Sequence, residues 1–500
     1  MIDIRELVGN KKLHGKIVSA EEASHLIKAG MTVGTSGFTP SGYPKVVTTA
    51  LAERAKKEGP IPINLWTGAS SGPELDGALA ETGCVAKRWP YQTNKTLNKG
   101  INSGAIKYAD QHLSHCAQMV RYGYFGKMDV AIIEVLRITE DGGLVLTSSV
   151  GNSNAFVEMA EKVIIEVNTV QPRGLEGIHD IYSPLSPPNR KPIPIEKVSD
   201  RIGTATLPCP IEKIAAIVAS DVPDSQRPLA PVDDVSAKMA SNLLDFLSVE
   251  VKAGRLPKQL LPLQSGVGNV ANAVLVGLAR WPTDGLTVYT EVLQDSAFDL
   301  IDTGKVAFAS STSLTPSPDG AAKYYPRIAE FRDRVVLRPQ EISNNPEVIR
   351  RLGLIAMNTA VEVDIYGHVN STMAGGTRML NGIGGSGDFA RNAYLTVFLC
   401  PSVSGDGNKI SKVVPFCSHV DHTEHDVDII VTEYGVADLR ALSPRERSVE
   451  IINKCSNPEY REALADYRTR AEAGGGHEPH VMAEALSWHE RLRATGTMKK

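Results

Sequence analysis

Along the chain, short runs of Val, Ile and Leu alternate with stretches whose apolar residues recur at helical spacing. Ser19 and Glu22 make a capping-box pair, an apolar face runs from Ala20 to Ala29, Gly30 ends it, and Met31-Thr32-Val33 begins a strand. That strand leads into Gly34-Thr35-Ser36-Gly37-Phe38-Thr39-Pro40 and then an amphipathic helix from about Lys45 to Lys56. Leu263-Gln264-Ser265-Gly266-Val267-Gly268-Asn269 repeats the sequence of strand, glycine turn and helix. Leu286-Thr287-Val288-Tyr289-Thr290 is a third strand, followed by a helix from Asp295, so Glu291 falls at the carboxyl end of a strand. This alternation predicts an α/β fold with mainly parallel sheets and helices on both faces. In such sheets the carboxyl edge is where ligands bind.

The two halves echo each other. Thr32 to Lys56 has a counterpart at Leu263 to Arg280, Leu65-Trp66-Thr67-Gly68 has one at Val288-Tyr289-Thr290-Glu291, and Asp129-Val130-Ala131-Ile132-Ile133 matches Asp426-Val427-Asp428-Ile429-Ile430. Three echoes in one order predict a duplicated domain. Proline-rich stretches lie at Pro184 to Pro194 and Pro223 to Pro231, and the second, near mid-chain, sets the expected division at 1–225 and 226–500. Gly68 stands where the second copy has Glu291, so the chemistry is not expected to be duplicated.

Composition narrows the function classes. With 500 residues, 42% of them hydrophobic, the chain can bury two or three cores. A net charge of −4 with both signs interspersed gives no nucleic-acid surface, and small ligands are expected. Six cysteines without a C-x-x-C pair give neither a disulfide framework nor a zinc ribbon, and fit a reducing compartment. No apolar run of about 18 residues occurs, and Met1 to Lys16 reads as no targeting segment. These features predict a cytoplasmic protein with no membrane partner, or one of the mitochondrial matrix if the source is eukaryotic.

Glu291 beside the glycine turn at Gly266 and Gly268 suggests covalent chemistry on an acyl group. An acid after a strand is more often a helix N-terminal charge, so position alone decides little. A carboxylate is a competent covalent nucleophile. At an ordinary pKa of about 4.3 it is ionised at pH 7 and needs no neighbouring base. Gly382-x-Gly384-x-x-Gly387 also fits a dinucleotide pattern and, alone, would point to an NAD-dependent dehydrogenase. Its context opposes that, because Thr377 to Asn381 makes no convincing strand and the β-like Tyr394 to Leu399 follows too soon for a long helix. His419, His422 and His425 have a spacing that suggests zinc, yet they would not share a face of a helix or a strand, and a polar His-rich turn bracing Glu433 and the active-site loop is expected instead.

Ser36-Gly37-Phe38-Thr39-Pro40, Gln264 to Asn269, Thr290-Glu291-Val292-Leu293-Gln294-Asp295, Ile342-Ser343-Asn344-Asn345-Pro346 and Asn381 to Phe389 occur in the order of the signatures of the acetyl-CoA hydrolase/transferase family, which the chain resembles from about residue 15 onward. The resemblance implies two tandem NagB/RpiA-like domains, a homodimer, no metal and no permanently bound cofactor, with a coenzyme A thioester as substrate. It implies transfer of CoA from succinyl-CoA to acetate, with acetyl-CoA hydrolysis or propionyl-CoA:succinate transfer as alternatives. Acyl-CoA and short-chain carboxylates are then the partners. Glu291 would carry CoA as a thioester, Asn344 would donate to its carbonyl oxygen, and the backbone N–H groups of Val267 and Gly385 would hold the acyl carboxylate. Ser265, Gly266, Val267, Gly268, Asn269, Val361, Asn381, Gly384, Gly385 and Lys409 would contact CoA. Relatives carry a lysine a few residues before Lys409, where this chain has Ser404-Gly405-Asp406. Other candidate cations for the phosphates are Arg327, Arg332, Arg334, Arg338, Arg350, Arg351 and Lys412.

Overall fold

The computed structural model describes residues 3–266 and 268–500, so Val267 lies outside the described residues. The first sheet is built from β1 (Thr32–Thr35), β2 (Ile63–Trp66), β3 (Val85–Trp89), β4 (Lys107–Tyr108), β5 (Met128–Ile138), β6 (Leu144–Leu146), β7 (Ala160–Asn168) and β8 (Ile214–Ser220). Its order is β4-β3-β2-β1-β5-β7-β8, every neighbour parallel, with β6 antiparallel against β5. The central strands are apolar throughout because both faces are covered; Val130 to Ile133 and Val163 to Ile165 are buried without exception.

Both parts of this order recur later in the chain. The run β1-β5-β7-β8 returns as β9 (Leu263–Ser265), Ile355–Thr359, Leu395–Leu399 and Ile429–Thr432, closed by antiparallel Gly435–Asp438. The run β2-β3-β4 returns as β10 (Leu286–Tyr289), Val306–Ser311 and Val335–Leu337. Two of the three sequence echoes therefore match strands in equivalent places. The third does not: β5 lies next to β1, whereas Ile429–Thr432 holds the place of β8. Asp426 belongs to a short 3-10 turn, Glu424–Asp426. Short Val/Ile strands are interchangeable in sequence, and only their neighbours tell them apart.

The chain forms two compact units. One comprises Met1–Pro228, Val288–Asp302 and Ala307–Arg351; the other comprises Leu229–Thr287, Thr303–Val306 and Leu352–Lys500. The long first segment ends inside the proline-rich stretch expected at mid-chain. The division 1–225 and 226–500 nevertheless differs from these units, because the segments carrying Glu291 and Asn344 belong to the first. Buried ion pairs tie the Asn344 segment there: Arg338 to Asp180, and Arg121 to Glu341 at 2.6 Å. Each unit has its own core, around Val47, Leu51, Leu65 and Ile132 in the first and around Val363, Tyr366, Phe398 and Ile451 in the second.

Local signals hold with shifted ends. Ser19 and Glu22 make both capping-box bonds, yet the helix stops at Ser24, well short of Ala29. The helix expected from Lys45 to Lys56 spans Val46–Glu58, and its first N–H groups are accepted by the buried carboxylate of Glu166. That acid, supplied from β7, caps the helix at long range.

Candidate active site

Glu291 lies two residues beyond β10, as the periodicity predicts. Its carbonyl oxygen accepts from the N–H groups of Thr312 and Ser313, both at 3.1 Å, and from Ser311 Oγ at 2.7 Å. Three donors on one carbonyl fix the backbone on which the acid stands. Sequence reading missed these residues; the available signal was the unbroken hydroxyl run Ser310-Ser311-Thr312-Ser313 at the end of an apolar strand.

The Glu291 carboxyl is set in dense surroundings. Burial pushes its pKa up to about 7, and the hydrogen bond from Asn344 opposes this. The expectation of an ordinary carboxyl, fully ionised at neutral pH, is thereby corrected: desolvation penalises the charged form. Asn344 Nδ2 donates to Glu291 Oε1 at 2.7 Å. Asn344 is fully buried and follows the one-turn helix Gln340–Ser343, whose residues are buried throughout. Glu341 on that helix meets Arg121 in a two-pronged pair at 2.6 and 2.9 Å and accepts from Asn154 at 2.8 Å. The fold therefore pairs Glu291 with Asn344, 53 positions apart in the sequence.

Gly68, the counterpart of Glu291, is closed to side chains. A Cβ there would stand 2.3 Å from the carbonyl oxygen of Gly37, and a Cβ on Gly151 would stand 2.7 Å from the same atom. Backbone fills the place that the second copy gives to a carboxylate.

The remaining predicted residues belong to the second unit. Gly266 N–H donates to the Met357 carbonyl at 3.3 Å, and Gly268, with φ 111°, precedes the helix Asn269–Leu278. Val361 N–H pairs with the Asn370 carbonyl at 2.8 Å. Asn381 Oδ1 accepts from Gly382 N–H at 2.8 Å. Gly382 and Gly384 have φ of 143° and 59°, a backbone that glycine alone adopts freely, and the buried Gly385 opens the helix Ser386–Ala390. Arg378–Met379 is a two-residue antiparallel strand against Met373–Ala374 and the helix after the loop has five residues, which is no dinucleotide-binding unit.

Most candidate cations are committed elsewhere. Arg338 is fully buried on Asp180 and Ser310, Arg327 pairs with Asp302 at 2.7 Å, Arg334 donates to the Ile301 carbonyl at 2.7 Å and Arg332 to that of Gly174 at 3.2 Å. Arg351 donates to the Ile193 carbonyl at 2.6 Å. Lys409 is exposed in the hairpin between Val403–Ser404 and Ile410–Ser411.

The three spaced histidines diverge. His419 meets Asp421 at 3.2 Å, His425 meets Glu424 at 3.2 Å, and His422 is buried beside Ser371 and Ser386. Glu433 is held by Ser402 and not by a histidine, which corrects that part of the expected turn. Among the described residues, the group that brings metal-type ligand atoms together is His368, Glu424 and Glu478. There the imidazole already bridges Asp364 at 3.1 Å and Glu424 at 2.8 Å; burial opposes its charge, but these carboxylates raise its pKa to about 9. It serves as the cation of its own cluster.

Family models match both parts of the chain: the acetyl-CoA hydrolase/transferase N-terminal domain over residues 3–223 and the C-terminal domain over residues 320–468. The succinyl-CoA:acetate CoA-transferase of Clostridium kluyveri is 52% identical, over 98% of this chain and 92% of its own. The acetyl-CoA hydrolase of Saccharomyces cerevisiae is 48% identical over 97% and 95%, and the propanoyl-CoA:succinate CoA transferase of Escherichia coli 46% over 96% and 98%. Among solved structures, the 4-hydroxybutyrate CoA-transferase of Porphyromonas gingivalis superposes with a TM-score of 0.64 at 21% identity, covering 92% of this chain and 99% of that one.

Proposed function

The chain belongs to the acetyl-CoA hydrolase/transferase family and is a CoA-transferase enzyme, and we propose that it moves CoA from succinyl-CoA to acetate with Glu291 as covalent carrier. A carboxylate oxygen of Glu291 attacks the thioester carbonyl; the C–S bond breaks, CoA thiolate leaves, and an acyl–glutamyl anhydride remains. The thiolate then attacks the Glu291 carbonyl, expelling the donor as its carboxylate and leaving a glutamyl-CoA thioester. Acetate reverses both steps, and acetyl-CoA leaves with Glu291 restored. Each step trades one activated acyl group for another, so no external energy is needed.

Asn344 serves as the side-chain donor to the oxyanion that forms on the Glu291 carbonyl carbon, and backbone N–H groups at Val267 and Gly385 hold the acyl carboxylate. Gly266, Gly268, Gly382 and Gly384 permit the close approach of backbone to ligand that this requires. Coenzyme A enters as substrate and no resident cofactor takes part. We further infer a homodimer in the cytoplasm; no helix among the described residues is long and apolar enough to cross a membrane.

The observation that carries the reading is the 2.7 Å bond from Asn344 to a Glu291 carboxyl lifted to about 7 by burial. Desolvation makes that carboxylate more nucleophilic, and the amide is already aimed at the atom that gains charge. Mixing the enzyme with succinyl-CoA alone and mapping the adduct by mass spectrometry tests it: CoA is expected on the peptide containing Glu291. An adduct on another side chain, or full turnover by Glu291→Ala, would overturn the mechanism.

A further inference from the structure

Ser386 follows Gly385 directly. Its Oγ donates to the Ile383 carbonyl at 2.8 Å, and its N–H closes on the same carbonyl at 3.3 Å, so it ties off the turn that contains the Gly384 and Gly385 amides. The same hydroxyl lies 3.1 Å from His422 Nε2. With the Ser386 proton given to Ile383, the imidazole supplies the N–H, which fixes the tautomer protonated at Nε2. Ser371 Oγ, 3.4 Å from that nitrogen, is likewise directed at another acceptor, Asp421 at 3.3 Å. His422 is fully buried; its backbone exchanges both hydrogen bonds with Val369, at 2.9 and 3.0 Å, and its ring packs 4.7 Å from Phe398. A rigid side chain thus holds a turn whose own glycines supply little rigidity.

We propose that His422 is a positioning residue for CoA transfer: through Ser386 it holds the Ile383–Ser386 turn and sets where the Gly385 N–H points. This rests on the Glu291 mechanism proposed above, in which the Gly385 amide holds the acyl carboxylate. A serine beside a histidine also resembles a nucleophile–base pair, but a histidine that donates to the hydroxyl takes no proton from it.

Glutamine and leucine separate the two. Glutamine retains an N–H at the reach of Nε2 but is no base; leucine fills the space with neither. His422→Leu is expected to lower kcat by about tenfold or more with the acyl-CoA KM changed less than about threefold, as when a contact that orients the acyl group for attack is misaimed while the CoA contacts remain. His422→Gln is expected to recover kcat to within about threefold of wild type. Ser386→Ala, which removes the contact without disturbing a buried ring, is expected to lower kcat in the same direction and keeps the idea testable if His422→Leu does not fold. A wild-type kcat in His422→Leu or in Ser386→Ala, or a His422→Gln variant as slow as His422→Leu, overturns the proposal. Failure of the underlying reading is distinguishable, because wild-type enzyme would then acquire no CoA on Glu291.

Discussion

Asn344 Nδ2 donates to Glu291 Oε1 at 2.7 Å, and Asn344 is fully buried directly after the Gln340–Ser343 helix. Asn344→Ala is therefore expected to leave the fold intact and lower kcat by about 10²–10³-fold, the usual loss for a single oxyanion donor. The same change removes the one contact that holds the Glu291 pKa down, so the acidic limb of the pH–rate profile should move to higher pH. A kcat within a few-fold of wild type, with an unmoved limb, would show that the bond is incidental.

The raised Glu291 pKa makes opposite demands on rate and stability. Burial lifts it to about 7, well above the ordinary carboxyl range. In the proposed mechanism only the carboxylate attacks, so thioester formation from acyl-CoA alone should slow roughly tenfold between pH 8 and pH 6. For stability the sign follows from a folded pKa above the unfolded one. The neutral carboxyl is the form the fold favours, and that favour is fully present below about 4.5 and lost as pH rises through about 7. Glu291→Gln should then be more stable than wild type at pH 8, by at most about 3 kcal/mol, and by much less at pH 5. Thermal melts of both proteins at the two pH values decide it; a variant less stable at pH 8 would contradict the assignment.

Gly68 marks the first copy as catalytically closed. A Cβ there meets the Gly37 carbonyl oxygen at 2.3 Å. Gly68→Ala should destabilise by about 1–3 kcal/mol through overpacking against a backbone atom that cannot yield. A denaturant midpoint equal to wild type would mean that the loop relaxes freely.

The sequence could place Glu291 because a run of β-formers, Leu286 to Thr290, ends just before it and a helical stretch starts at Asp295, so a local pattern located a site residue. It could pair Glu291 with Asn344 only through family signatures, because the two meet across strands and a one-turn helix that no periodicity announces. The β5 echo failed for a related reason: Asp129 to Ile133 and Asp426 to Ile430 read alike as strings, and their sheet neighbours alone distinguish them. The Glu291 pKa was illegible as well, since desolvation depends on the assembled surroundings and not on the residue's own segment. The same holds for Arg338, which looks like any surface cation in sequence and is wholly buried on Asp180.

That burial sets apart a structural arginine from a phosphate-binding one. Arg338 donates to Ser310 Oγ at 2.9 Å and to Asp180, whose other oxygen accepts from the N–H groups of Ile202 and Gly203 at 2.9 and 2.6 Å. Arg338→Ala leaves the Asp180 charge buried, which costs about 3–5 kcal/mol when one partner of such a pair is removed. Refolded protein below its melting point should keep the wild-type KM for acyl-CoA. A large rise in KM with unchanged stability would instead make Arg338 a CoA contact.

In the proposed mechanism the choice between transfer and hydrolysis falls on the glutamyl-CoA thioester. Water and an acceptor carboxylate compete for it, and water is far more concentrated. Transfer prevails only if the acceptor is held in attack geometry, where effective molarities on the order of 10⁵ M or more are attainable. The partners described around Glu291 are hydroxyls, backbone amides and Asn344, none of which is a base suited to activate water. With acetyl-CoA as donor, CoA release should be slow alone and at least roughly tenfold faster when succinate is added, a margin well within that proximity effect. The acceptor should also leave as its own CoA thioester, which chromatography of the products detects. Equal rates with and without succinate, and free CoA as the sole CoA product, would show that water is the true acceptor and that the enzyme acts as a hydrolase.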